Sequence, residues 1–319
     1  MRIMGRPRAL VTVLAACLLV AGCGAGPSQV RAAILFSDNE VSTDQVQFLI
    51  DKAVQEQPAA QQLSQQHKLD QLGRAIVGQY MLHDAVRRAA QREGLVADEN
   101  AVSKTLEQDP LAQPVSTTGV DPSQIATQIA YRARDHREVI VDNVLMQELG
   151  AKYVSNLSVT FDYTTVTDRD QAVAKANQMA ADPGAATRLI QSDAATGKDA
   201  SFGFKVPAVQ SPDLAATVLY GVQPGTVVAF QPSSQYATWV VGVVRARDLS
   251  TPQSVDNTSE PTANQLVAIG ARLLQPYVDA SGAKINPRYG VWDPVAMNVA
   301  ASEAETTGLV LSTKGSTQP

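Results

Sequence analysis

Residues 225–244 read GTVVAFQPSSQYATWVVGVV: an apolar run from Thr226 to Phe230, a polar turn, and a second apolar run opened by one large aromatic, Trp239. Both runs are short and rich in valine, which suits a half-buried pleated surface, and the polar residues between them read as the connection of a hairpin. Upstream, VTFDYTTV at 159–166 alternates as a strand does, and 168–181 reads as a helix closed by Asp182-Pro183. A small helix near 185–192, a glycine-containing loop and a helix near 213–220 then lead into the hairpin. Residues 155–250 are therefore expected to form a small α+β domain, bounded by Ser250-Thr251-Pro252.

The segment before that domain is helical. Ala33 to Phe36 suits a strand and Ser37 to Glu40 a turn; Ser42-Thr43-Asp44-Gln45 has the capping-box pattern that opens a helix. Val46, Leu49, Ile50, Ala53 and Val54 then follow the spacing of one buried helical face. Pro58 ends that helix. A longer one is expected from about 60 to 93, stopped by Gly94, then a short one near 98–108 and a long one from Asp121-Pro122 to about Tyr153. These elements make a helical domain at 33–154. After a polar linker at 251–262, a helix from Ala263 to Tyr277 and the extended KIN at 284–286 are expected to pack back on it as a piece spanning 263–294. Pairing of Ala33 to Phe36 with Ala283 to Asn286 would join the two ends. The small, polar tail at 295–319 is expected to be disordered.

The first 23 residues, MRIMGRPRALVTVLAACLLVAGC, set the compartment. Three arginines precede an apolar run from Ala9 to Val20, the anatomy of an export signal, and that run is shorter than the roughly 20 residues a bilayer span needs. Val20-Ala21-Gly22-Cys23 resembles the bacterial lipobox. That resemblance implies a signal peptide at 1–22, cleavage before Cys23, a lipid on its thiol (diacylglycerol and palmitate), and a tether at 23–32. The expected location is then the extracytoplasmic face of the cell membrane, held by the lipid anchor. The only other cysteine, Cys17, lies in the signal, so no disulfide forms in the mature chain. With Arg2, Arg6 and Arg8 removed, 23 of the 26 basic residues face 31 acidic ones, a balance that argues against nucleic acid.

The lipobox, ILFSDNEVSTDQVQFLI at 34–50, long helices, a small α+β insert and a returning helix together resemble the SurA/PrsA group of extracytoplasmic foldases, over about residues 32–292. The resemblance implies an α+β chain in which N- and C-terminal pieces build one discontinuous helical chaperone-like domain around an inserted parvulin-like prolyl isomerase module. On this alignment the family's two histidines fall on Tyr163 and Trp239, and the aromatic of its proline pocket falls on Leu214. The glycine pair of its loop is reduced to Phe202-Gly203-Phe204. Rotating an X-Pro bond means crossing a barrier of about 18–20 kcal/mol, and a catalyst must bind the twisted amide best. Residues 155–250 hold no histidine and no cysteine. The expectation is a membrane-anchored chaperone or holdase for unfolded or exported protein segments, with little or no isomerase activity, no metal and no nucleotide cofactor. An isomerase with a rearranged centre and a cell-envelope scaffold are the alternatives. Tyr163 and Trp239 are expected to touch across the sheet. With Leu214, and with Tyr289 and Trp292 of NPRYGVW at 286–292, they are the candidate client-binding residues. His67, His83 and His136 have no metal-ligand spacing.

Overall fold

The computed structural model describes residues 31–233, 237–253 and 260–313. The expected export signal, Cys23 and nearly all of the expected tether lie outside these residues. The described chain is mixed α+β with antiparallel sheets.

β1 (Ala32–Leu35) pairs with β2 (Glu40–Ser42) on one side and with β7 (Lys284–Ile285) on the other, so the two ends of the chain meet as expected, Ile34 opposite Ile285. Ser42 caps α1 (Thr43–Glu56), its hydroxyl accepting from the Gln45 amide while the Gln45 side chain accepts from the Ser42 amide. The helix expected from 60 to 93 is two helices, α2 (Pro58–Gln65) and α3 (Leu69–Glu93). His67 between them takes a left-handed φ of 56°, and the amides of His67 and Lys68 return to the carbonyls of Ser64 and Leu63. This is the two-bond helix stop that glycine usually serves, here made without one.

After α4 (Glu99–Gln108), the long helix expected to reach Tyr153 is also divided, into α5 (Pro122–Ala133) and α6 (His136–Tyr153). Asp135 caps the second, accepting from the Glu138 amide. The buried Arg134 at the joint is paired with Asp142, 3.0 Å away, which also meets His83 at 2.9 Å.

β3 (Ser158–Val166), β4 (Ala200–Pro207), β5 (Thr226–Phe230), β6 (Trp239–Asp248) and β10 (Leu309–Ser312) form one sheet in the order β10-β5-β6-β3-β4. The hairpin that opens the sequence reading is present as β5 and β6. β4 replaces the expected loop. The helix expected near 213–220 is one α-turn, α9 (Pro212–Ala215), and a separate 3-10 turn at Val218–Tyr220. Two helices, α7 (Arg169–Ala181) and α8 (Pro183–Ala195), cover one face of the sheet; there Met179 and Ile190 pack with Val166, Val227, Trp239 and Val241. The opposite face, with Phe161, Val228, Phe230 and Val244, joins the core of the helical layer.

The expected helix from 263 to 277 breaks at Leu274 into α10 (Ala263–Leu273) and α11 (Gln275–Ala280), where Pro276 cannot supply an interior amide. Gly150 of α6 and Gly270 of α10 let these two helices touch backbone to backbone. A Cβ on Gly150 would stand 2.9 Å from the Leu266 carbonyl carbon, and one on Gly270 2.6 Å from that of Met146.

The expectation of a disordered tail is overturned up to Thr313. β8 (Val291–Asp293) and β9 (Asn298–Ala300) form a hairpin, and β10 pairs with β5, Leu309 opposite Ala229. Two things hold this segment. Fully buried Asp293 accepts from the amides of Val295, Ala296 and Thr307, and the apolar triplet Leu309-Val310-Leu311 completes the edge of β5.

Candidate functional site

The large sheet ends in β10 on one side and in β4 on the other; β4 has β3 on one side and no strand on the other among the described residues. Its backbone donors and acceptors on that side form a row that another extended chain can pair with. The same strand carries two exposed aromatics, Phe202 at 43% and Phe204 at 45% of full exposure; the other large apolar residues this open among the described ones are Phe48 and Val96. A lone exposed apolar residue is ordinary, but two on a bare strand edge are not.

The local chemistry explains how the edge is held. The β3–β4 register shifts between Phe161 and Tyr163, and Gly203 sits at the shift with φ of 60°. Asp162, itself buried, fixes this bulge: one carboxylate oxygen accepts from the Gly203 amide at 2.7 Å and the other from Arg245 Nε at 2.6 Å. Phe204 lies opposite Phe161, and the rings of Phe161, Tyr163 and Phe204 are mutually 5.4 to 5.7 Å apart, two of the three contacts being edge-on. Such pairs contribute about 0.5–1.5 kcal/mol beyond area burial, so the exposed Phe204 is backed by a fixed aromatic floor. The Tyr163 hydroxyl donates to Asp199 at 2.9 Å; burial, and then that carboxylate, push its pKa up to about 12, so it is a neutral donor and not a base. This cluster can hold an apolar side chain and pair a backbone. It offers no nucleophile.

The expected Tyr163–Trp239 contact does not exist. Trp239 pairs with Val166 and Tyr163 with Gly242. Three residues along a strand is an odd step, so the two side chains point to opposite faces. Trp239, 6% exposed, lies under α7 and α8, whereas Tyr163 packs toward the main core. The residue-by-residue alignment that put the two family histidines on this pair is therefore wrong. Gly242 belongs to the same geometry, since a Cβ there would meet Tyr163 Cβ at 3.1 Å and the Asp162 carbonyl nearer still.

The remaining candidates are scattered. Leu214 is half-buried on α9 against the main core. Tyr289 is 7% exposed, its ring lying over Gly73 of α3. Half-buried Trp292 lines a cleft of about 360 Å³ with Met81 and Val278, and its buried indole N–H has no acceptor among the described residues. Of the candidates, only Tyr163 stands at the β4 edge. Phe202 and Phe204 were present in the sequence as the remnant of a glycine loop. The signal that could have found them is the alternation Phe202, Phe204, Val206, broken by a glycine that reads as a bulge. No protein-family model, no curated protein and no solved structure matches this chain.

Proposed function

We propose that this protein is a membrane-anchored, extracytoplasmic holdase of the SurA/PrsA type, in which N- and C-terminal pieces carry an inserted, catalytically silent parvulin-like module, and which captures unfolded segments of exported proteins. The observation that carries the reading is the bare β4 edge with exposed Phe202 and Phe204. An unfolded client offers what such an edge accepts: an unpaired extended backbone and alternate apolar side chains. Main-chain pairing is indifferent to sequence, and two phenylalanines select only for apolarity, which is the breadth a holdase requires. The lipobox-like VAGC at 20–23 and the SurA-like N-terminal stretch support the location and the class. The lack of histidine and cysteine across 155–250, and a tyrosine held neutral at the aromatic cluster, support the silence of the module.

The test is suppression of aggregation. The full chain, at stoichiometric amounts, is expected to keep several unrelated denatured proteins in solution, and a Phe202→Ser/Phe204→Ser double variant is expected to lose most of that effect while staying folded, its melting temperature lowered only by the loss of the Phe204 ring contacts with Phe161 and Tyr163. Protection of none of them refutes the holdase and favours a scaffold with one folded partner. Protection undiminished in the double variant moves the capture site elsewhere. A protease-coupled assay on a proline peptide is expected to show no acceleration of cis/trans exchange.

A further inference from the structure

Where the sheet meets the helical layer there is a second cleft, of about 330 Å³, between the ends of α3, α6 and β6 and the start of α11. Its charges are unbalanced. The one carboxylate, Glu93, is already fully engaged: it accepts from Lys152 Nζ at 2.7 Å, the Tyr153 hydroxyl at 2.5 Å and the Tyr277 hydroxyl at 2.7 Å. Two guanidiniums line the same cleft, Arg92 at its rim and Arg247 deeper within it, and neither has an acidic partner among the described residues. Arg247 uses only its Nε–H, which donates to the Tyr220 carbonyl at 2.6 Å. Burial works against the charge on this group, and no carboxylate offsets it. A guanidinium has five donors in a rigid fork that matches a carboxylate, and a partly desolvated one without an anion is a vacant receptor for one. The other walls are mixed, with Leu149, Leu249 and Leu273 apolar, Gln223 polar and Tyr153 and Tyr277 presenting their rings.

We infer that this cleft is a binding site for a carboxylate carried on a short apolar body, with Arg247 gripping the two oxygens, Arg92 adding charge at the mouth and the leucines receiving the chain. Its volume lies at the small end of ligand pockets, so it admits one end of a molecule and not a long acyl chain. Two sources share that chemistry: the C-terminal carboxylate of a peptide ending in an apolar residue, and a free short-chain acid. The site is distinct from the β4 edge, and its existence does not depend on the holdase reading.

The experiment is calorimetric titration of the full chain with three probes: an acetylated tripeptide ending in leucine as the free acid, the same tripeptide as its C-terminal amide, and hexanoate. The peptide acid is expected to bind at least tenfold more tightly than the amide, more weakly as salt is raised, and at least tenfold more weakly to Arg247→Gln. An Arg92→Gln variant, at an exposed position, should weaken it several-fold without altering the fold. Hexanoate matching the peptide acid supports the site and assigns it to free acids; hexanoate binding far more weakly supports it and assigns it to peptide termini. Equal binding of acid and amide, binding unchanged in both arginine variants, or heat from none of the probes at millimolar concentration overturns the inference. If Arg247→Gln does not fold, the acid–amide contrast and Arg92→Gln still decide.

Discussion

Replacing Gly270 by alanine sets two physical effects of opposite sign against each other. In a helix interior alanine is favoured over glycine by about 1 kcal/mol, so propensity alone predicts a more stable protein. The structure predicts the reverse. The new Cβ would stand 2.6 Å from the Met146 carbonyl carbon and 3.1 Å from its Cα. Carbon atoms settle at about 3.5–4.0 Å, so α6 and α10 must part by about 1 Å. The obstruction is backbone and cannot rotate aside. Parting uncovers Met146, Leu149, Ile269 and Leu273, all buried in the main core. Overpacking of this kind costs about 1–3 kcal/mol, and with rigid atoms the upper figure applies, leaving a net loss of about 2 kcal/mol. Urea denaturation followed by tryptophan fluorescence and far-UV circular dichroism measures it. Gly78→Ala on α3 is the control, because its nearest neighbour is the Val299 amide nitrogen at an ordinary 3.7 Å, and it should gain up to about 1 kcal/mol. Gly270→Ala as stable as the wild type, or Gly78→Ala as damaged as Gly270→Ala, would refute the reasoning.

Three further outcomes are expected. Buried Asp193 accepts from Lys175 at 2.6 Å, Lys198 at 2.8 Å and Thr164 at 2.8 Å; although burial opposes its charge, these bonds hold its pKa down at about 2. Because the folded value lies below the unfolded one, its contribution of about 2 kcal/mol is complete above pH 4 and is lost as pH falls toward 2; stability measured across that interval in wild type and Asp193→Asn should differ by this slope. Deleting 309–319 strips β10 from β5 and uncovers the fully buried Val227, Val228 and Ala229, so the shortened chain should melt at a clearly lower temperature than the full chain; an unchanged melting temperature would show that the strand adds nothing. His67→Gly should raise stability by about 1 kcal/mol in thermal unfolding, since histidine pays for its left-handed φ of 56° and glycine does not; an unchanged or lower melting temperature would contradict the account of that helix stop.

Most elements were legible locally. The capping box at Ser42, the hairpin at 225–244, the helix closed by Asp182-Pro183 and the pairing of the two chain ends follow from patterns that act within a few residues or from the need to join the ends. What misled was also local. The helix stop at His67 lacks the glycine that usually marks one, although its closing bonds to Leu63 and Ser64 are local, and the bulged strand at Phe202-Gly203-Phe204 carries no strong sequence mark because its geometry is held by the distant Asp162 and Arg245. The tail reads as polar filler until β5 supplies an edge for Leu309-Val310-Leu311 to complete.

By itself the sequence determined the mixed α+β class, the caps and faces of several helices and the hairpin at 225–244, since periodicity, caps and composition are properties of neighbouring residues. Tertiary structure alone decided which side chains meet. A strand turns successive residues to opposite faces, so the register of β3 against β6 put Tyr163 and Trp239 on different sides of the sheet, left Phe202 and Phe204 on a bare edge, and set Arg247 beside a Glu93 already taken by other donors.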